Sequence, residues 1–368
     1  MEEPELPPNS ASPEPARETP PIAALPPPQQ ESAHAQPAYA DRSTGLIVFG
    51  VFQIILGLLA ALMIPLVALG ALFSRLAPGG AMRPAQILSA AATYATISAV
   101  LIVLGIGSIR SRRWARALTL ITAWYWLIMG ALTTVLLTAM LPVAMRTALQ
   151  GQNAAGAPSP EVSAGVMAVI LTVIITLMAF FLIVVPLAFV VFYSRRDVAA
   201  TCRDRDPIPR WTDRAPLPVL GASVVYLGGA LYLLVTGLTT PMFPFFGRYL
   251  TGISGMLCFL AVAGLDLYLA AALFRLKSLG WWIAITTLPL RLTSMTLTFL
   301  RADIFEAYSR AGFSDTQLRM LSTNPMFRGH VMLWWSLFSM VLFFGYLLWI
   351  RRYFNTAPQP AAVPIQAG

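Results

Sequence analysis

The chain has little of what builds a soluble surface, a disulfide framework or a metal centre. Charged residues are 11% of its 368 residues, and there are two cysteines and two histidines. Cys202 lies in a charged stretch and Cys258 inside an apolar run, so no disulfide framework is expected. No His/Cys/Asp/Glu spacing suits a metal, and neither His-Glu-x-x-His nor a phosphate-cradling glycine loop occurs, so no cofactor is expected. The low charge excludes an ordinary soluble domain, in which about a quarter of residues are charged. A net charge of +9 is compatible with a nucleic-acid partner. Here, however, the arginines sit in short segments between apolar runs rather than on one soluble face, and nucleic acid is not an expected partner.

Apolar residues take the place of the missing charge. They form 57% of the chain, with a mean hydropathy of +0.69. Eight runs, at 46–73, 87–109, 114–141, 164–193, 217–240, 250–274, 281–300 and 330–350, are long enough to cross about 30 Å of hydrocarbon as helices. They are continuous rather than alternating, which selects helices over a β-barrel, because backbone groups in lipid must be satisfied within the segment. The first run is too long for a signal-peptide core and no small-residue cleavage site follows it, so it is expected to be retained. The expected fold is an all-α polytopic membrane protein of about eight transmembrane helices, and the lipid bilayer is its first partner.

The organisation expected along the chain starts with a disordered, Pro-rich acidic tail at 1–43, too poor in large apolar groups to fold. A first four-helix half at 44–196, a connector at 197–215, and a second half at 216–353 with an outer loop at 301–329 follow. A disordered tail at 354–368 ends the chain. The halves share weak internal similarity: "GVFQIILG" from Gly50 with "GASVVYLG" from Gly221, "RSRRWARALT" from Arg110 with "KSLGWWIAIT" from Lys277, and "FYSRR" from Phe192 with "LWIRR" from Leu348. Four helices per half make this a parallel repeat, with Trp114 matched to Trp281 and Gly50 to Gly221.

Arginines gather at the 110–116 turn, the 195–214 connector, the 275–277 turn and Arg351–Arg352, all on one side of an eight-span chain. The positive-inside bias then places both termini in the cytoplasm. Arginine-heavy, lysine-poor usage points to a bacterial plasma (inner) membrane. The connector's "DPIPRWTDR", Asp206–Arg214, is similar to a connector of uncharacterised multi-pass bacterial membrane proteins, a resemblance that implies no activity.

Two ionisable residues lie deep in apolar runs, Asp266 in the sixth and Arg291 in the seventh. Each costs about 2.5–3.5 kcal/mol on insertion scales, so each needs a partner or water. Counted from the 275–277 turn they have equal depth, about 13–15 Å at 1.5 Å per residue. They are therefore expected to pair across the hairpin. Thr287, Arg291, Ser294 and Thr298 follow at helical spacing on one face, with Pro289 freeing a carbonyl nearby. Such a stripe lines a substrate path or bonds its own backbone and neighbouring helices, the commoner use.

The outer loop reads as short amphipathic helices, with Ser314 and Gln317 as a capping box. "GISG" (Gly252–Gly255) with His330 on the same side has the outline of an intramembrane serine protease dyad, but the rest of that machinery is missing and an enzyme is not expected. The expected function is a non-enzymatic integral membrane protein, structural or in contact with a small molecule or lipid through its second half. The alternative is a secondary transporter or flippase using the Asp266/Arg291 pair.

Overall fold

The structure, a computed structural model, describes residues 39–76, 83–154, 160–323 and 331–355. The tails expected at 1–43 and 354–368 lie almost wholly outside the described residues, as does His330. Eight helices among the described residues are long and apolar enough to cross a membrane, and the chain is a multi-pass integral membrane protein. Leu58, Leu62 and Leu66 on the first span are each more than half exposed, a surface suited to the apolar interior of a membrane.

The first three spans lie in α1 (Ser43–Leu76), α2 (Pro84–Ile109) and α3 (Arg113–Ala154). The fourth is α4 (Pro160–Ala179), which runs through one π-helical turn, Phe180–Val184, into α5 (Val185–Tyr193). Pro186 follows that turn, and its missing N–H cannot bond the carbonyl of Leu182. The Leu182 carbonyl instead lies against Gly130 of α3, where a Cβ would overlap it.

The connector opens with α6 (Arg196–Arg205), which stops ahead of the proline-rich steps; only a short 3-10 turn, Trp211–Arg214, forms beyond it. The second half contains α7 (Leu217–Thr239), strands β1 (Met242–Phe245) and β2 (Arg248–Thr251), α8 (Gly252–Phe274) and α9 (Ser278–Arg301). The short helices α10 (Ile304–Arg310) and α11 (Asp315–Thr323) precede α12 (Val331–Ile350) and α13 (Arg352–Asn355). The expected capping box is present: Gln317 N donates to Ser314 Oγ at 3.3 Å and Ser314 N to Gln317 Oε1 at 3.1 Å.

Each half is tied at its arginine-rich end by a tyrosine of its last span. The Tyr193 hydroxyl bonds Ser108 Oγ, which donates to the Leu46 carbonyl at 3.1 Å; the Tyr346 hydroxyl donates to the Pro218 carbonyl. Trp281 Nε1 adds a bond to the Leu347 carbonyl at 2.8 Å. The halves meet through a small core of Ala117, Ile121 and Leu220.

The α2–α3 and α8–α9 turns are built alike. Ser111 (φ 51°) and Leu276 (φ 54°) are left-handed. Ser111 N and Arg112 N donate to the carbonyls of Ser108 and Gly107, as Leu276 N and Lys277 N do to those of Leu273 and Ala272. Aligned on these bonds, Ser111 pairs with Leu276, which sets Trp114 opposite Leu279 and not opposite Trp281. The close crossing beside each turn is the same under this pairing, with glycine on opposite partners. A Cβ on Gly107 would come within 2.6 Å of Ala115 Cβ, and one on Gly280 within 2.6 Å of Ala272 Cβ. Gly50 and Gly221 do not share neighbours: Gly50 rests on the Gly105 carbonyl, Gly221 on the Tyr346 hydroxyl. The sequence matches were drawn on residue identity, whereas the turns follow backbone hydrogen bonding.

Candidate functional site

Asp266 on α8 and Arg291 on α9 form a forked ion pair, Nη2–Oδ1 at 2.5 Å and Nη1–Oδ2 at 3.1 Å. Two parallel charge-assisted bonds fix both orientation and distance. The Asp266 side chain is 4% exposed and that of Arg291 24%. Gly229 on α7 gives the carboxylate room, since a Cβ there would stand 3.7 Å from Oδ2.

The hydroxyls of the stripe are engaged. Thr287 Oγ1 donates to the Ile283 carbonyl of its own helix at 2.7 Å. Ser294 Oγ accepts from Phe246 N and donates to the Pro244 carbonyl, both at 3.1 Å. Thr298 Oγ1 accepts from Gly247 N at 3.1 Å and donates to the Ser294 carbonyl at 2.8 Å. Thus Asp266 and Arg291 meet each other, Ser294 and Thr298 hold a β-hairpin, and Thr287 bonds its own backbone.

That hairpin, β1 and β2, pairs Met242 with Thr251 through Phe245 with Arg248. Its two-residue turn, Phe246 (φ 40°) and Gly247 (φ 96°), has positive φ at both central positions. The signal for it was an aromatic-glycine step between short aromatic runs, "FPFFGRYLT". Gly255 lies directly beneath, with a Cβ there overlapping the Leu250 and Pro241 carbonyls. The pattern "GISG" therefore has a packing cause, and Ser254 is exposed and donates to the Thr251 carbonyl at 3.1 Å.

With the turns aligned on their hydrogen bonds, the first-half positions matching Asp266 and Arg291 are Leu101 and Trp126. Matching on Trp114 and Trp281 gives Ala99 and Trp124 instead. Leu101 and Trp126 line a cavity of about 10 Å³, also bounded by Gln53 and Thr119. Gln53 Oε1 and Thr119 Oγ1 are buried there without a hydrogen-bond partner among the described residues. A second, wider cleft of about 360 Å³ lies at the α2–α3 turn beside Arg210. Neither cavity touches Asp266 or Arg291.

A carboxylate hub organises the arginine-rich face, and sequence reading did not single it out. Asp206, 2% exposed, accepts from Arg210 Nη2 at 2.7 Å and Nε at 3.1 Å, from Arg112 Nη1 at 3.3 Å and from Arg113 N at 3.3 Å. The Arg210 bonds, with help from the Arg113 amide, hold its carboxyl below the usual carboxylate range. Arg113 Nε is 3.4 Å from Asp213, and Asp213 in turn accepts from Arg210 N at 2.8 Å. Nearby, Cys202 of α6 is buried, and its thiol is pushed up to about 11 by that burial. No family model, curated protein or solved structure matches this chain.

Proposed function

We propose that this is a non-catalytic protein of a bacterial plasma membrane, with its arginine-rich face and both termini in the cytoplasm, in which Asp266 and Arg291 act as a structural clasp. The observation that carries the clasp is the engagement of the two charges with each other and of the stripe's hydroxyls with hairpin or backbone. The two cavities described above are lined by the first half and, in the wider one, by Arg210 of the connector, and this favours a lipid or small-molecule contact there rather than in the second half. The shared turn geometry supports a parallel duplication of a four-helix unit, and the connector supports kinship with the multi-pass proteins it resembles. The orientation rests on the positive-inside bias.

Thiol labelling tests the clasp against a transport path. With Cys202 and Cys258 replaced by alanine, single cysteines at Thr287 and Met295 are expected to resist a membrane-impermeant reagent applied from either side. Labelling at both positions would show water beside Arg291 and favour a transporter or flippase. Reporter fusions after Arg352 are expected to read as cytoplasmic.

A further inference from the structure

The wider cleft lies where α2 ends and α3 begins. Arg110, Arg112 and Arg210 line it, together with Trp114, Val103 and Ile106. Gly107 gives the indole room, since a Cβ there would stand 2.9 Å from the Trp114 ring. Three guanidinium groups against the single carboxylate of Asp206 leave a surplus of two positive charges. Asp206 also anchors two of the three: Arg210 gives it Nε and Nη2, and Arg112 gives it Nη1. Arg210 Nη1 and Arg112 Nη2 make no hydrogen bond among the described residues, and Arg110 has no ion pair among them. The donors are thus pre-placed by a buried acid and still vacant.

Below the guanidinium groups the character changes. Val103 and Ile106, 53% and 40% exposed, continue from the cleft down the α2 surface within the span Pro84–Ile109. Positive charge at the membrane boundary above an exposed apolar track matches a molecule with a phosphate at one end and a hydrocarbon chain at the other. A tryptophan at the boundary suits the same depth. We propose that this cleft binds the phosphate of an anionic phospholipid, with an acyl chain lying along Val103 and Ile106. A free anion or an acidic peptide would use the arginines and leave the apolar track unused.

The inference rests on the membrane reading but not on the orientation, so the topology fusions can fail without it. The full chain in detergent micelles is titrated with phosphatidylglycerol or phosphatidylcholine, and retained lipid is counted by native mass spectrometry. One phosphatidylglycerol per chain is expected at concentrations where phosphatidylcholine is not retained. Arg110→Gln, at an exposed residue without an ion pair, is expected to keep the wild-type melting profile and weaken retention about fivefold. Arg196→Gln, an exposed arginine of the connector outside the cleft, is expected to leave retention unchanged. Equal retention of the two lipids, or equal losses in both variants, would overturn the site. Displacement by inorganic phosphate at the lipid's own concentration would overturn the lipid as its ligand.

Discussion

Two places at the same distance from equivalent turns carry opposite solutions to polarity within a membrane. In the second half, Asp266 and Arg291 are partners in an ion pair, forked together beside Gly229. In the first half, Leu101 and Trp126 stand at the matching positions, and two neutral polar atoms, Gln53 Oε1 and Thr119 Oγ1, face a void without partners. Charges are costly enough in hydrocarbon that they occur in pairs, while a lone amide or hydroxyl costs little enough to be tolerated. The second half therefore depends on a pair, and the first half carries a modest, distributed strain.

The largest effect expected from this difference is on the second half. Asp266→Ala or Arg291→Ala strands a charge and should cost about 3–5 kcal/mol, read as a collapse of folded yield in membranes. Asp266→Leu combined with Arg291→Met, apolar like the first half, should recover most of that yield. A double variant as poor as the singles would mean that the pair does more than satisfy itself.

Next in size is the hairpin, which among the described residues only the second half has. Thr298→Val keeps the shape and removes the acceptor for Gly247 N, and Ser294→Ala does the same for Phe246 N. Each should cost about 1 kcal/mol, the loss of a hydrogen bond to a partly buried amide. Hydrogen exchange at Phe246 and Gly247 should accelerate in the matching variant while amides near Ser111 stay protected. Unchanged exchange would detach the stripe from the hairpin.

The eight spans were legible because lipid imposes long apolar helices, and the Asp266–Arg291 contact was legible because rise per residue converts sequence distance into depth. The stripe was legible as a helical face, but its partner was not. The strands are four residues each, contain Pro244, and lie in a segment that reads as a connector. The repeat matches missed the turn alignment because they were anchored on Trp114 and Trp281, whereas the left-handed helix end itself carries Ser in one half and Leu in the other and only Arg110 with Arg275 beside it is shared. Asp206 was hidden among other acids of a basic loop, and only the fold shows which one is buried.

An effect of similar size and opposite sign is expected in the first half. Thr119→Val and Gln53→Met replace unpartnered polar groups with apolar ones of similar size, and each should raise stability by about 1 kcal/mol, seen as a higher melting temperature. A loss would indicate that a water occupies the cavity, which at about 10 Å³ has room for one at most. The corresponding removal of polarity from one member of the second-half pair is destabilising, so the two halves should respond with opposite sign.

The smallest effect separates the two turns by pH. Asp206 ties the first turn to the connector through Arg112 and the Arg113 amide. Lys277, the matching residue of the second turn, has no ion pair among the described residues. The Asp206 carboxyl is held below its ordinary value, chiefly by Arg210, so its stabilisation is complete above the unfolded carboxylate pKa and is lost only as pH falls through the lowered folded value. Protease protection of the connector should therefore persist through the normal titration range of aspartate and fail below it, while protection around Leu276 is unaffected. Asp206→Asn should lose part of that protection already at neutral pH and show no further acid step there. If the wild-type connector instead opens within the ordinary carboxylate range, Arg210 does not hold Asp206 ionised, and the two turns differ in packing alone.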